Sequence, residues 1–87
     1  MKSYNYKTII TQHIASILSQ FTYPNTENGF NKACDKLESL GFQITGIDTD
    51  SIEAFYRDHL IHIQIAECDD FFYFSNFSLY LHRKGVV

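Results

Sequence analysis

Four histidines, two cysteines and ten carboxylates are the residues of this chain whose chemistry reaches beyond packing. His59 and His62 stand three apart in the alternating segment "HLIHIQIAE". On a strand that spacing sends the rings to opposite faces, which makes them poor joint metal ligands. His62 and His82 fall in neighbouring strand-like segments, but a cross-strand pair supplies only two ligands where zinc takes three or four. Cys34 and Cys68 fit no C-x-x-C pattern, and neither has a nucleophile signature beside it. The glycines at 29, 41, 46 and 85 form no phosphate-cradling loop. No serine sits in a nucleophile elbow. "DTDSIE" lacks the glycine and the spacing of the twelve-residue calcium loop. The expectation is a protein that is not an enzyme and carries no cofactor and no metal.

The carboxylates carry the stronger signal. Seven of the ten lie between residues 48 and 70, where Arg57 is the sole Lys or Arg. They are Asp48, Asp50, Glu53, Asp58, Glu67, Asp69 and Asp70. An acidic rim of this kind has three uses: it steers a basic protein partner, imitates phosphate spacing, or holds a hard cation. The competing reading is that loop acids are merely solvated and keep sheet edges from aggregating.

The elements that must position these groups follow from the apolar period. Residues 6–21, "YKTIITQHIASILSQF", place Ile10, Ile14, Ile17, Leu18 and Phe21 on one helical stripe, with Tyr6 a turn earlier. "YPNTENG" breaks the chain, and Asn25 or Thr26 caps a second helix over 27–40. There Phe30, Ala33, Cys34, Leu37 and Leu40 recur at spacings of three and four, with Gly41 at the C-terminal cap position. Cys34 thus reads as a small core residue rather than a nucleophile. After Gly41 the period becomes two. "FQITGID", "SIEAFYR", "LIHIQIAE" and "FFYFSNFSLYLH" read as strands joined by short turns, which favour antiparallel neighbours. The expected fold is α+β: one domain over residues 1–87, two N-terminal helices packed on one face of a four-stranded antiparallel sheet, an ααββββ meander. The turns "DTDS" and "ECDD" then share one end, with Arg57, His59, His82, Arg83 and Lys84 gathered at the other.

Aromatic residues are abundant, eight Phe and six Tyr, and six of the ten residues from Phe71 to Tyr80 are aromatic. Strand alternation puts Phe71, Tyr73, Ser75, Phe77, Leu79 and Leu81 on one face. That set is the more apolar and is assigned to the helices. Phe72, Phe74, Asn76, Ser78, Tyr80 and His82 go to the other face. Two helices cannot cover both faces of the sheet, so Phe72, Phe74 and Tyr80, with Tyr73, are candidate aromatic anchors for a partner. The alternative is that these rings are core, or are shielded by the N-terminal tyrosines or the C-terminal valines. A base-stacking sheet needs cations to track phosphates, and this acidic chain has seven Lys and Arg, so direct nucleic-acid binding is not expected.

No signal-peptide region and no apolar run of membrane-spanning length is present, which points to a cytoplasmic, reduced setting with both thiols free. Small acidic antagonists share this size and charge: immunity proteins, antitoxins, and phage anti-defence inhibitors including anti-CRISPR proteins. No residue pattern singles out one of them. The functional expectation is a protein-binding inhibitor. Asp48, Asp50, Glu53, Glu67, Asp69 and Asp70, with Phe72, Tyr73, Phe74 and Tyr80, would dock on a basic surface of another protein, itself a nucleic-acid binder. The alternative is a homodimeric structural or scaffolding protein that uses its aromatic sheet face for self-association.

Overall fold

Helical periodicity, two caps and a run of alternating segments produce the observed elements in order. The computed structural model describes residues 6–81, and the side chains of residues 8–80. They are α1 (Tyr6–Leu18), β1 (Thr22–Pro24), α2 (Glu27–Ser39), β2 (Phe42–Ile47), β3 (Ser51–Tyr56), β4 (His59–Glu67) and β5 (Phe71–Leu81). The fold is α+β with one antiparallel sheet in the order β1-β5-β4-β3-β2. The expected meander is present as β2 to β5. A fifth strand, β1, was read in the sequence as part of a chain break. Its three residues are too few to show a period, and Pro24 speaks against a strand. Proline is tolerated here because β1 lies at the sheet edge.

In α1 the buried stripe is Ile10, Ile14 and Leu18, with Ile17 half-buried beside it. The helix stops three residues earlier than its apolar period suggests. The backbone tightens through Gln20 N–H to Ile17 O (3.2 Å) and Phe21 N–H to Leu18 O (3.1 Å). Phe21 still reaches the core and packs 5.0 Å from the Phe74 ring.

The second helix is capped by Thr26, whose hydroxyl accepts from Gly29 N–H at 3.0 Å. It ends where Gly41 takes φ +104°, a left-handed conformation that suits glycine, with Gly41 N–H donating to Glu38 O at 3.1 Å. Because β1 and β2 are the two sheet edges, α2 must carry the chain from one edge to the other. Its 13 residues span about 20 Å, and four strand spacings come to about 19 Å. The length of α2 therefore matches the width of the sheet it crosses.

That crossing brings the first turn of α2 hard against β1. A Cβ at Gly29 would collide with the Pro24 carbonyl oxygen. Helix propensity alone favours alanine there by about 1 kcal/mol. The collision is with backbone, which cannot swing aside, so Gly29→Ala is expected to lose a net ~1–3 kcal/mol in chemical denaturation. The exposed neighbour Asn28, changed to Ala, should show no loss.

The central feature of the sheet is a bulge. Ile63 faces Phe77 and Gln64 faces Asn76, but Ile65 faces Phe74, which leaves Ser75 as an extra residue on β5. One extra residue reverses the alternation beyond it. Phe72 and Phe74 therefore point into the helix-covered core, at 2% and 8% exposure. Past the bulge the inward set becomes Phe77 and Leu79, both packed against the core. This corrects the expected faces. The odd set faces the helices only in the second half of β5, while Phe71 and Tyr73 face outward. Ile52, Ala54, Ile61 and Ile63 form the fully buried centre of the sheet's inner face. Tyr56 closes the core at one end, stacked 4.4 Å from Phe42 and hydrogen-bonded through its hydroxyl to His13 Nε2 at 3.0 Å.

Candidate interaction surface

A meander places its alternate turns at the same end, and here they are tied together by backbone bonds. Asp48 N–H donates to Ser51 O at 2.9 Å and closes the β2–β3 turn. Ile65 N–H donates to Asp50 O at 2.8 Å, which extends the sheet ladder into that turn and sets Asp50 beside β4. Cys68 N–H donates to Phe71 O at 2.7 Å and closes the β4–β5 turn. Asn25 then links this turn to the start of α2. Its backbone N–H reaches Asp70 O (3.0 Å), and its side-chain amide reaches Cys68 O (3.2 Å) and Glu67 Oε1 (3.3 Å).

Asp48, Asp50, Glu67, Asp69 and Asp70 are all exposed at this end. Among the described residues none of the five is within ion-pairing distance of a Lys or Arg. Glu27, in the first turn of α2, joins the same end; sequence reasoning missed it because the strand that docks α2 there is only three residues long. The positive end of the α2 dipole lies beside these acids and offsets part of their mutual repulsion. Arg57 sits at the opposite end, in the β3–β4 turn, with its guanidinium 5.1 Å from the Tyr56 ring. His59, expected among the cations there, is instead buried, with Nδ1 3.0 Å from Asp58 Oδ1. His82, Arg83 and Lys84 lie outside the described residues, as do Tyr4 and the C-terminal valines.

Glu53 stands apart from the rim, on the sheet face that carries no helix. It faces Gly46 on β2 and His62 on β4. With Asp48, Ser51 and Ile47 these residues line an open depression of about 210 Å³. The register pairs His62 with Ser78 rather than with His82. Among the described residues, no three His, Cys, Asp or Glu side chains stand close enough together to hold a metal ion.

The aromatic candidates separate into three places. Tyr73 is 39% exposed near the acidic end and pairs with Phe71, ring centroids 6.2 Å apart. Tyr80 is exposed too, but it lies at the far end of β5, opposite Leu60. Phe72 and Phe74 are inside, against Tyr23, Phe30 and Phe21. The structure thus brings the rim acids together with Tyr73, adds Phe71, and removes Phe72 and Phe74 from the surface. Phe71 was missed because the bulge hides the true parity of the strand.

Both cysteines are free. Cys34 is half-buried against the core, and burial, followed by the charges of Glu38 and Asp35, pushes its thiol pKa up. A thiol so placed is a weak nucleophile. Cys68 is exposed in the β4–β5 turn. Iodoacetamide at mildly alkaline pH should modify Cys68 first and Cys34 at least about tenfold more slowly, as read by mass spectrometry of the digested chain. Equal rates would contradict the placement of Cys34.

Among the described residues, no helix is long and apolar enough to cross a membrane. No protein-family model, curated protein or solved structure significantly matches the chain.

Proposed function

We propose that this chain is a non-enzymatic protein-binding module that antagonises another protein by covering a basic, nucleic-acid-binding surface. The observation that carries this reading is the convergence of five exposed carboxylates, without Lys or Arg partners among the described residues, on one end of the sheet. A field of one sign steers a partner of the opposite sign and speeds its association. The Phe71–Tyr73 pair beside that end supplies the apolar contact that charge alone does not provide. Occlusion needs no catalytic group, and the setting proposed is cytoplasmic, in the manner of immunity proteins, antitoxins or phage anti-defence inhibitors such as anti-CRISPR proteins. The test is affinity for the captured partner across a salt series: binding should weaken steeply with salt in the parent and lose that dependence when Asp48, Asp50, Asp69 and Asp70 become Lys. Salt-independent binding in the parent removes the electrostatic mechanism.

A second reading, a homodimer, has its own observation. β1 pairs only with Phe71–Tyr73, so from Phe74 to Leu81 the outer edge of β5 has no strand partner among the described residues. From Phe71 to Leu81 the strand has no charge and no proline to discourage pairing. A dimer by sedimentation that Ser78→Lys converts to monomer supports this reading, and a monomer at all concentrations ends it. Phe74→Asp does not serve as that test, because Phe74 is core.

A further inference from the structure

The two helices leave a cleft between their C-terminal ends. It measures about 310 Å³, larger and more enclosed than the open-face depression. Its lining is Ile17 from α1, Gln20 and Phe21 from the turn that follows, Tyr23 from β1, and Lys36 and Leu40 from the end of α2. Ring packing fixes the aromatic wall. Phe21 lies 5.9 Å from Tyr23 and 5.0 Å from Phe74, and Tyr23 stacks 6.2 Å from Phe72. Ile17 and Tyr23 are half-buried and Leu40 is 37% exposed, so apolar surface is left here that the core does not take up. Lys36 is the sole charged residue of the lining, and among the described residues it forms no ion pair. Nor does the helix end need its ammonium as a cap. Lys36 O accepts from Leu40 N–H at 3.1 Å and from the Ser39 hydroxyl at 2.7 Å, and Glu38 O accepts from Gly41 N–H at 3.1 Å. Lys32 stands one turn earlier on the same flank of α2, while Asp35 and Glu38 bear on Cys34 across the helix. From Thr8 to Gln20 the chain has no Lys, Arg, Asp or Glu. The cleft is thus a positive spot on a chain of net charge −3.

We infer that this cleft binds a small monocarboxylate with an apolar body, its tail against Ile17, Phe21, Tyr23 and Leu40 and its carboxylate on Lys36. Small-molecule sites are mostly apolar clefts of about 300–1,000 Å³ with a few polar groups that fix orientation. This cleft has that composition and lies at the lower end of that size. One ammonium matches one negative charge, and a phosphate needs more donors than a single lysine supplies. An amine ligand meets a like charge, and a neutral hydrocarbon gains nothing from Lys36. The ammonium is a point charge on a flexible stem, so it follows the carboxylate without demanding one geometry. The acidic end meets the first turn of α2 and the cleft its last, so this site works whether or not that end docks a partner.

The test uses the full chain, isotope-labelled, titrated with octanoate below its micelle-forming concentration while amide and methyl resonances are followed. Saturable shifts confined to Ile17, Gln20, Tyr23, Lys36 and Leu40 are expected. Octylammonium, the same tail with the opposite charge, should bind these residues at least about fivefold more weakly. Acetate, which has the charge without the tail, should give no saturable shift. Lys36→Met removes the charge at an exposed position and keeps an apolar stem, so the spectrum should stay otherwise native. That variant should bind octanoate about fivefold more weakly, the worth of one exposed ion pair, and lose the preference over octylammonium. Equal binding of the two octyl probes by the parent overturns the assignment to a carboxylate. Acetate binding as tightly as octanoate overturns the apolar half of the site. Octanoate shifts that never saturate, or that spread over Ile47 and Phe71, show adventitious adsorption of the tail and overturn the site as a whole.

Discussion

Phe72→Ala should lose about 3–5 kcal/mol of folding stability, the range for deleting a buried aromatic ring. The ring is 2% exposed and touches Tyr23, Phe30 and Phe74, so its removal leaves a cavity between β1, β5 and α2 that the surrounding backbone cannot fill. A domain of this length has a total stability of roughly 4–13 kcal/mol. Truncation thus removes roughly a quarter of it or more, and urea denaturation should show a large fall in midpoint. The adjacent Tyr73→Ala should change stability by less than about 1 kcal/mol, because Tyr73 faces solvent. The contrast tests the bulge at Ser75 directly. With uninterrupted alternation in β5, the two results would exchange places.

The second large effect belongs to the acidic end. Changing Asp48, Asp50, Asp69 and Asp70 to Lys moves the formal net charge from −3 to +5, two units for each substitution. All four side chains are exposed in turns, so the variant should remain folded with a native far-ultraviolet spectrum. Its association rate with a basic protein should fall by about 10- to 1,000-fold at low salt, the span over which charge steering acts. The salt dependence should also be lost, since the rim then no longer attracts such a partner. Stopped-flow association at two ionic strengths reads both effects. A rate that does not change would place the docking surface elsewhere.

The balance of what the sequence revealed and concealed has a physical basis. The Ile10, Ile14, Leu18 stripe and the Ala33, Leu37 stripe were legible because a helical period repeats over several turns. The Thr26 cap and the Gly41 left-handed residue were legible because each needs a particular residue type. The meander, and with it the shared end of the two acidic turns, followed from short connections. The strand β1 was not legible, since three residues carry no period. The inward turn of Phe72 and Phe74 was hidden for a different reason. A single unpaired residue reverses a strand's faces, and Ser75 looks like any other polar position in an alternating run. The open-face depression was also invisible. Asp48, Glu53 and His62 line it only because the register sets Glu53 opposite Gly46 on β2 and His62 on β4.

The most direct test of the central claim is a pull-down with the tagged chain beside its Asp48/Asp50/Asp69/Asp70→Lys variant, bound proteins being identified and quantified by mass spectrometry. The account predicts one stoichiometric, basic, nucleic-acid-binding protein, held by the parent and lost by the variant. A stoichiometric partner held equally by both would contradict it.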